Sequence, residues 1–339
     1  MIRLMKPYIG KEELELISQV LESGNLVEGQ MVDMFEKEAC EWIGAKHGIA
    51  CTSATTGLEL ALRAMDIGAG DEVIVPGFTH PATALCVMST GAKPVMVDVD
   101  EQTYNTNAGL IKKAITKRTK AIMPVSLFGR PLDIEPIIDL GIPVIEDAAC
   151  SLGSELNGVR VGSQCTTVFS FHPRKVFTTG DGGLVVTNDT KLSERIRRIK
   201  KFGAFKEWGT NYRMSDILGA IALAQIRRID QVVSDRKEKA AIYDDLLNIK
   251  TFGGNYQSYV IKIDNRDNVM RAMIQDGIEC QVGTYALHTL EVFKGQAKLP
   301  VSQKLHDSLL TLPLHFELSL QEQIFIIKKL QEHGKTNFS

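Results

Sequence analysis

The chain has 339 residues, 44% of them hydrophobic and 24% charged, a composition that is typical of folded globular proteins and does not indicate a disordered chain. The chain has 39 lysine and arginine residues and 41 aspartate and glutamate residues, which gives a net charge of −2. This balance argues against a nucleic-acid partner or an anionic membrane surface, since both attract a basic face. The length allows about two domains of ~150 residues each.

The N-terminus leads directly into a charged helical pattern and has no apolar core of signal-peptide length. No stretch approaches ~18 consecutive apolar residues, so no membrane span is expected. The six cysteines are scattered, with no C-x-x-C pair and no histidine at ligand spacing. They are interpreted as small buried hydrophobes, no metal site is predicted, and the compartment is expected to be a reducing cytoplasm.

The first predicted element is a helix over KEELELISQVLESG, in which Leu14, Ile17 and Leu21 share one stripe and Gly24 ends the pattern. Short β-branched runs follow, separated early on by helical segments at 55–65 and 108–115. Apolar runs separated by helices are typical of strands buried on both faces of a mostly parallel sheet. The predicted strands are GIAC (48–51), EVIVP (72–76), PVMVD (94–98), KAIMPV (120–125), PVIED (143–147), VFSFH (168–172) and GGLVVTN (182–188).

The last two runs are joined too tightly for a helical crossover, which leaves a hairpin or another antiparallel addition open. Residues 213–247 are predicted as one long helix or two abutting ones. After residue 254 the pattern indicates a small α+β unit, with a strand at 258–264, a helix at 266–276, a strand near 278–282 and a helix at 319–332. We therefore expect a large domain, 1–235, and a small C-terminal domain, 236–339, with the option that the N-terminal segment packs on the small domain.

Two segments of the large domain place polar groups at the ends of buried elements. In CTSATTGLEL (51–60), small and hydroxyl residues open a helix, whose free N–H groups and dipole suit a phosphate; an ordinary N-cap is the alternative. In PVIEDAACSLG (143–153), Glu146 and Asp147 end a strand at the edge where open α/β sheets bind ligands. A carboxylate there either meets a cation or several donors, or caps the next helix.

Two later segments add a lysine and a polar cluster. In TVFSFHPRKVFTTGDGGLVVTND (167–189), Pro173 ends a strand, so Lys175 lies in a loop between two apolar strands and can point into the site at the strand ends. A partly buried lysine amine becomes nucleophilic, which suits Schiff-base chemistry. A polar cluster of Asn211, Tyr212 and Arg213 precedes an apolar helix. The cluster either belongs to the site or only caps that helix.

Taken together, the four segments match the requirements of pyridoxal 5'-phosphate (PLP). The lysine binds this cofactor covalently, the carboxylate keeps its pyridine nitrogen protonated, and the helix end takes its phosphate. The sequence therefore predicts PLP as the cofactor, with Lys175 and Asp147 at its reactive ring.

The order of SATTGLELAL, VIVPGFTHPATA, VIEDAACSLGS, FSFHPRKVFTTGDGGLVVTND and NYRMSDILGAIALAQIRRID closely resembles the DegT/DnrJ/EryC1/StrS family. The resemblance extends to the GTYALH and LLTLPLH segments near the end, and the SFHPxK…TTG(D/E)GG string is its most specific part. It implies an α/β fold, that of the fold-type-I PLP-dependent transferases. In that fold a large domain holds a mostly parallel, mixed sheet between helices, and a smaller α+β domain follows.

The resemblance also implies roles for residues around the cofactor. Lys175 matches the Schiff-base lysine and Asp147 the partner of the pyridinium nitrogen. Ala54, Thr55 and Ser170 match ligands of the phosphate. We therefore expect these five residues to come together in one site.

Further residues match positions at the edge of that site. His80 falls where the family has an aromatic ring stacked on the cofactor, and Cys150 where a side chain neighbours its phenolic oxygen. Asn211 matches an asparagine that reaches the phosphate of the neighbouring subunit, which implies a homodimer with shared active sites. Polar positions around the substrate are matched by Arg213, Tyr285 and His288.

Three positions depart from the family pattern, and one of them is Ser126, which replaces a frequent histidine and bears on substrate selection. Ala54 replaces a usual glycine, so a more crowded phosphate loop is expected. Cys150 replaces a usual glutamine or histidine, and a thiol is only a weak hydrogen-bond donor. Lys175 is not replaced by histidine, the change that marks the dehydratase branch of the family, so transamination is the predicted reaction.

The predicted function is amino transfer, from L-glutamate on the family resemblance, to a keto-sugar nucleotide. The product would be an amino-sugar nucleotide for polysaccharide or glycoconjugate biosynthesis. Two alternatives stay open: another fold-type-I PLP enzyme that acts on a non-nucleotide ketone or catalyses elimination, and a regulatory protein that binds PLP without turnover.

Overall fold

A mixed β-sheet forms the centre of the first two-thirds of the chain in the computed structural model, which describes residues 1–251 and 253–334. Its strands and the short pairs beside it are β1 His47–Cys51, β2 Glu72–Pro76, β3 Phe78–Thr79, β4 Lys93–Val97, β5 Thr119–Ile122, β6 Ile145–Asp147, β7 Glu155–Leu156, β8 Val159–Arg160, β9 Thr166–Ser170 and β10 Gly183–Thr187. The helices of this part are α1 Lys11–Ser23, α2 Gln30–Ile43, α3 Ala54–Ala64, α4 Ala82–Ser89, α5 Ala108–Lys112, α6 Glu135–Ile138, α7 Thr190–Ile199 and α8 Asp216–Arg227.

The sheet consists of two groups of strands, in the orders β1-β10-β9-β6 and β4-β2-β5. Parallel bridges from Ile122 to Val144 and from Val125 to Asp147 join the two groups. The pairs β2–β4, β2–β5 and β6–β9 are parallel, whereas β10 runs antiparallel to both β9 and β1. The predicted mostly parallel, mixed sheet is therefore confirmed, and the last two apolar runs form the antiparallel pair β9–β10.

Apolar cores cover both faces of this sheet. Successive residues of β10 point to opposite sides, so Val185 joins the core under α3 and α4, while Leu184 and Val186 join the core under α2 and α8. Every residue of β10 is buried. This double burial explains why the strands have continuous apolar sequences and no alternation.

Helix α1 begins and ends as predicted, but of its predicted apolar stripe only Ile17 packs against the core. Gly24 ends the helix in the left-handed conformation (φ 71°). Leu14 and Leu21 are 65% and 57% exposed, whereas Glu13 and Val20 are buried. The inner face carries Val20 in the apolar core and, beside it, a polar network in which Glu13 pairs with Arg228 and accepts a bond from Gln225.

The C-terminal third begins within a pair of abutting helices. Residues 213–247 form α8 and then α9 Ile229–Leu247, which meet at Arg228. The remaining elements are β11 Tyr259–Lys262, α10 Arg266–Gln275, β12 Gln281–Val282, β13 Tyr285–Ala286, α11 Pro300–Ser308, β14 Leu309–Leu312 and α12 Leu320–His333. The predicted strands and helices of this part are present, and β13, α11 and β14 are additions that the sequence pattern did not predict. None of the described helices is both long and apolar enough to cross a membrane.

A second, smaller sheet in the order β11-β14-β12 carries its own apolar core with α10 and α12. The N-terminus reaches this part, because Ile2 bridges Ile278 and the carbonyl of Leu4 accepts a bond from Leu314. Helix α9 runs unbroken through residue 235, so a domain boundary at 235 stays a prediction.

Candidate active site

Lys175 lies in the loop between β9 and β10. Its backbone amide donates to the carbonyl of His172 (2.8 Å), which forms a turn after the strand. Its side chain is partly buried, and Nζ lies 3.2 Å from Sγ of Cys150, in the turn after β6. The lysine predicted as the cofactor ligand is therefore directed at the carboxyl ends of the parallel strands.

Asp147 ends β6 and is buried. Oδ2 accepts a bond from Oγ1 of Thr83 (2.7 Å), and Oδ1 accepts one from the amide of Ala149 (3.1 Å). Burial raises the pKa of Asp147, while these two bonds and the charge of Lys175 act in the opposite direction. A buried carboxyl group held only by neutral donors is therefore ready to stabilise a cationic N–H beside it.

Glu146, one residue earlier, points to the other face of the sheet, as alternation along a strand requires. Oε1 accepts from Oγ of Ser126 (2.5 Å) and Oε2 from Oγ1 of Thr167 (3.3 Å). Burial raises the pKa of Glu146 to about 7, against the lowering effect of these bonds. The residues after Asp147 form a turn and no helix begins there, so the alternative that either carboxylate caps a helix is wrong.

The predicted phosphate ligands adjoin one another at the start of α3. Oγ of Ser53 caps the helix by accepting from the amide of Thr56 (3.2 Å). The amides of Ala54 and Thr55, in the first turn, have no acceptor within the helix. Ser170 lies opposite Gly183 in the sheet, and a Cβ on Gly183 would lie 2.7 Å from the amide of Ala54.

His80 follows β3, at the opposite side of the site. Strand β13 pairs with β3, with Tyr285 opposite Thr79, and brings the Tyr285 ring edge-on to His80 at 6.0 Å between centroids. Partial burial lowers the pKa of His80, the charge of Lys175 lowers it further, and the charge of Asp147 raises it. Both charged groups of the site are therefore close to this ring.

His288 lies just beyond β13, in a turn anchored by the bond from the amide of Leu287 to the carbonyl of Gly77 (2.7 Å). Its Nδ1 is buried and has no hydrogen-bond partner among the described residues. Tyr285 therefore contacts His80 from the C-terminal third of the chain, and His288 lies in the turn that follows.

Asn211 and Arg213 lie on the surface beside the phosphate end. Nε of Arg213 donates to Oδ1 of Asn211 (2.8 Å). The carbonyl of Tyr212 between them accepts from the amide of Thr52 (3.1 Å), which holds this segment next to the start of α3. Within the described part of the chain, neither side chain bonds to Lys175 or Asp147.

Two residues that contact the site were not predicted. Thr83 is fully buried in α4, where ATALCVMS reads as an ordinary apolar helix; a hydroxyl residue three positions after His80 was the only signal. Asn255 is also fully buried, and its Nδ2 donates to the carbonyls of Cys150 (2.9 Å) and Leu152 (2.7 Å). The distance of 105 residues between Asn255 and Cys150 leaves no local pattern that could have indicated this contact.

The donor set fits PLP. Its ring nitrogen suits the buried Asp147, its phosphate suits the first turn of α3 together with Ser170, and its aldehyde suits the amine of Lys175. These groups come from β6, α3 and the β9–β10 loop, which the sheet brings to one edge. Such a site on such a fold defines a PLP-dependent enzyme of fold type I.

The sequence profile of the DegT/DnrJ/EryC1/StrS aminotransferase family matches residues 7–331, so the chain belongs to this family. It is 36% identical over 326 residues to the UDP-2-acetamido-2-deoxy-3-oxo-D-glucuronate aminotransferase of Pseudomonas aeruginosa, covering 88% of this chain and 89% of that protein. The fold is similar to Helicobacter pylori PseC, an aminotransferase involved in pseudoaminic acid biosynthesis (TM-score 0.92, 26% identity, 98% of each chain). It is equally similar to the PLP-form of Streptococcus pneumoniae Spr1654 (TM-score 0.92, 26% identity, 98% of each chain). The protein is therefore an aminotransferase, and PLP is its cofactor.

Proposed function

We propose that the protein transfers an amino group from an amino acid, with L-glutamate as the expected donor, to a keto-sugar nucleotide. The product is an amino-sugar nucleotide for polysaccharide or glycoconjugate biosynthesis. The observation that carries the proposal is the partly buried Lys175 amine at the strand ends, beside the buried Asp147. The substrate class is supported by the 36% identity to an aminotransferase whose name specifies a UDP-linked 3-oxo sugar.

Each of the residues that would hold the cofactor has a separate task. Asp147 accepts the hydrogen of the ring nitrogen, and Thr83 keeps one of its oxygens oriented. The amides of Ala54 and Thr55 and the hydroxyl of Ser170 would bind the phosphate, and the ring of His80 would pack against the cofactor. When bound, PLP takes up the electron pair that remains when a Cα–H bond of the amino acid is broken.

Lys175 moves the proton. In the donor half of the reaction, its Nζ takes the proton from Cα of the amino acid, and in the acceptor half it returns a proton to the former keto carbon of the sugar. The partial burial of the side chain limits competition from water. Sγ of Cys150 lies 3.2 Å from this amine and, as a thiol, holds it only weakly.

The sugar nucleotide is expected to meet residues at the edge of the site. Tyr285 and His288 approach it from β13 and the turn that follows. Asn211 and Arg213 are directed to the surface, and we propose that they reach the site of a second copy, which gives a homodimer with shared active sites. The six free cysteines support a location in the reducing cytoplasm.

The test is a coupled assay on purified protein. The visible absorption band of the bound cofactor should bleach when L-glutamate is added, and 2-oxoglutarate should form in proportion to an aminated sugar nucleotide from a panel of keto-sugar nucleotides. Lys175→Ala should abolish both signals, whereas Lys191→Ala, at an exposed lysine of α7, should leave them unchanged. Full turnover by Lys175→Ala would contradict the proposal.

The same panel separates the alternatives. Turnover with a non-nucleotide ketone, or elimination of the amino group, but none with any sugar nucleotide would replace the proposed substrate class. Bound PLP without turnover on any substrate would instead favour a regulatory protein.

A further inference from the structure

The segment of Asn255, Tyr256 and Gln257 lies between α9 and β11 and contacts the turns on both sides of the active site. The amide of Asn255 donates to Oγ of Ser154 (3.1 Å), which in turn donates to the carbonyl of Gly129 (2.7 Å). A Cβ on Gly129 would lie only 1.9 Å from Oδ1 of Asn255. The 255–257 segment is therefore packed directly against the large sheet's connecting turns.

Asn255 holds the turn that carries Cys150. Its Nδ2 donates to the carbonyl of Cys150 (2.9 Å) and to the carbonyl of Leu152 (2.7 Å), and the side chain is fully buried. Two bonds from one amide fix the backbone on both sides of the turn. The direction of the Cys150 side chain therefore depends on Asn255.

Gln257 holds the loop that carries Lys175. Its Nε2 donates to the carbonyl of Arg174 (2.9 Å), the residue immediately before Lys175. Nη1 of Arg174 donates to Oε1 of Gln281 (2.6 Å), so the same residue is held from its side chain as well. The backbone of the catalytic loop is thus tied to the C-terminal third of the chain.

The two amides are themselves joined. The backbone N–H of Gln257 donates to Oδ1 of Asn255 (2.8 Å). The buried guanidinium of Arg236 donates to the carbonyls of Tyr256 (2.7 and 2.9 Å) and Gln257 (2.8 Å). One rigid segment therefore holds the backbones of both partners in the Lys175–Cys150 contact.

We propose that Asn255 and Gln257 are positioning residues that set the distance between the amine of Lys175 and the thiol of Cys150. The inference rests on the proposed function only in giving that distance a role in catalysis. Neither side chain contacts the reacting atoms; both act through the backbone of their neighbours. A thiol is a weak hydrogen-bond partner, so this contact is kept by the backbone and not by its own strength.

The distance can be measured with ortho-phthalaldehyde on cofactor-free protein. This dialdehyde condenses with one amine and one thiol that lie side by side, losing two water molecules to give a fluorescent isoindole. The wild type should give an isoindole signal that is lost in both Lys175→Ala and Cys150→Ser. A signal that survives either change would show that the two groups are not adjacent and would overturn the proposal.

Gln257→Leu and Gln257→Glu both remove the donor to the carbonyl of Arg174 and should slow isoindole formation about fivefold, the equivalent of one neutral hydrogen bond. Ser258→Ala is the matched control, because it removes the bond from Oγ of Ser258 to Oε1 of Gln257 (3.0 Å) and leaves the Nε2 donor of Gln257 in place. Gln257 is only partly buried, so the midpoint of urea unfolding should not change. In the loaded enzyme the same variants should lower kcat and leave KM for glutamate unchanged.

An isoindole rate equal to that of the wild type in both Gln257 variants would overturn the positioning role. This result is distinct from failure of the proposed function, which is judged by turnover of Lys175→Ala. If the Gln257 variants form isoindole more slowly but Lys175→Ala keeps full turnover, the positioning role is supported and the role of the distance in catalysis is wrong.

Discussion

Replacing Glu146 with glutamine should flatten the pH dependence of the free energy of unfolding. Glu146 is 3% exposed, and its carboxyl group accepts bonds from Ser126 and Thr167. Burial raises its pKa from an ordinary 4.5 to about 7. Because Glu146 binds its proton more tightly in the folded than in the unfolded chain, its contribution to stability is highest below pH 4.5, falls between pH 4.5 and about 7, and is constant above.

The size of the fall follows from the two pKa values. One pH unit of difference is worth about 1.4 kcal/mol, so the change from 4.5 to about 7 corresponds to ~3 kcal/mol of unfolding free energy. Burial also raises the pKa of Asp147, so ionisation of Asp147 likewise lowers the stability of the folded chain as pH increases. Since Asp147 is present in both proteins, the difference between the wild type and Glu146→Gln gives the contribution of Glu146 together with its charge repulsion with Asp147.

The assay is urea unfolding of cofactor-free protein at about pH 5 and about pH 7.5, followed by circular dichroism. Glutamine keeps the shape of the side chain and can still accept the bond from Ser126, so the variant should fold. Glu155→Gln, at an exposed glutamate of β7, is the matched control and should retain the wild-type pH dependence. If the wild type and Glu146→Gln lose the same stability between the two pH values, the buried carboxyl group of Glu146 does not titrate with a raised pKa.

Three further predictions concern single contacts. Thr83→Val keeps the shape of the side chain but removes the bond to Asp147. Since a bond to a charged group is worth ~1.5–3 kcal/mol, PLP binding should weaken by about tenfold or more in a fluorescence titration. Unchanged affinity would refute the role of this donor. Gly183→Ala would place a Cβ 2.5 Å from the backbone at the start of α3, and should lower both the thermal unfolding midpoint and PLP affinity. Its control is Gly68→Ala, whose Cβ would have nothing nearer than 3.4 Å and which should lower neither quantity. Ser319→Ala removes the capping box of α12 and should cost ~1 kcal/mol of unfolding free energy without changing kcat, which a urea titration and the turnover assay would check together.

The sequence was most informative where one physical rule governs a whole element. Runs such as EVIVP and GGLVVTN have continuous apolar centres because both faces of their strands are buried, and the structure has strands there. The outward stripe of Leu14 and Leu21 shows the limit of the helical pattern. Periodicity identifies which residues share a face, but it cannot tell which face the buried pair of Glu13 and Arg228 will occupy.

The same distinction applies to the site. Lys175 and Asp147 could be predicted as neighbours because both follow parallel strands of one sheet, and such ends meet at one edge. Thr83 and Asn255 could not, because their contacts join residues 64 and 105 positions apart and depend on how helices and turns pack after the sheet has formed. The two-residue pairing of β3 with β13 is likewise too short to produce a pattern in the sequence.

The pairing of β1 with β10 has a consequence for synthesis of the chain on the ribosome. His47 of β1 lies opposite Thr187 of β10, so the edge strand has no partner until 140 more residues have been made. At ~5–20 residues per second, that delay is on the order of ten seconds. During this time the apolar strand offers an unpaired edge to other nascent chains. The yield of native protein should therefore improve with slower initiation or added chaperones, even though the finished molecule needs neither.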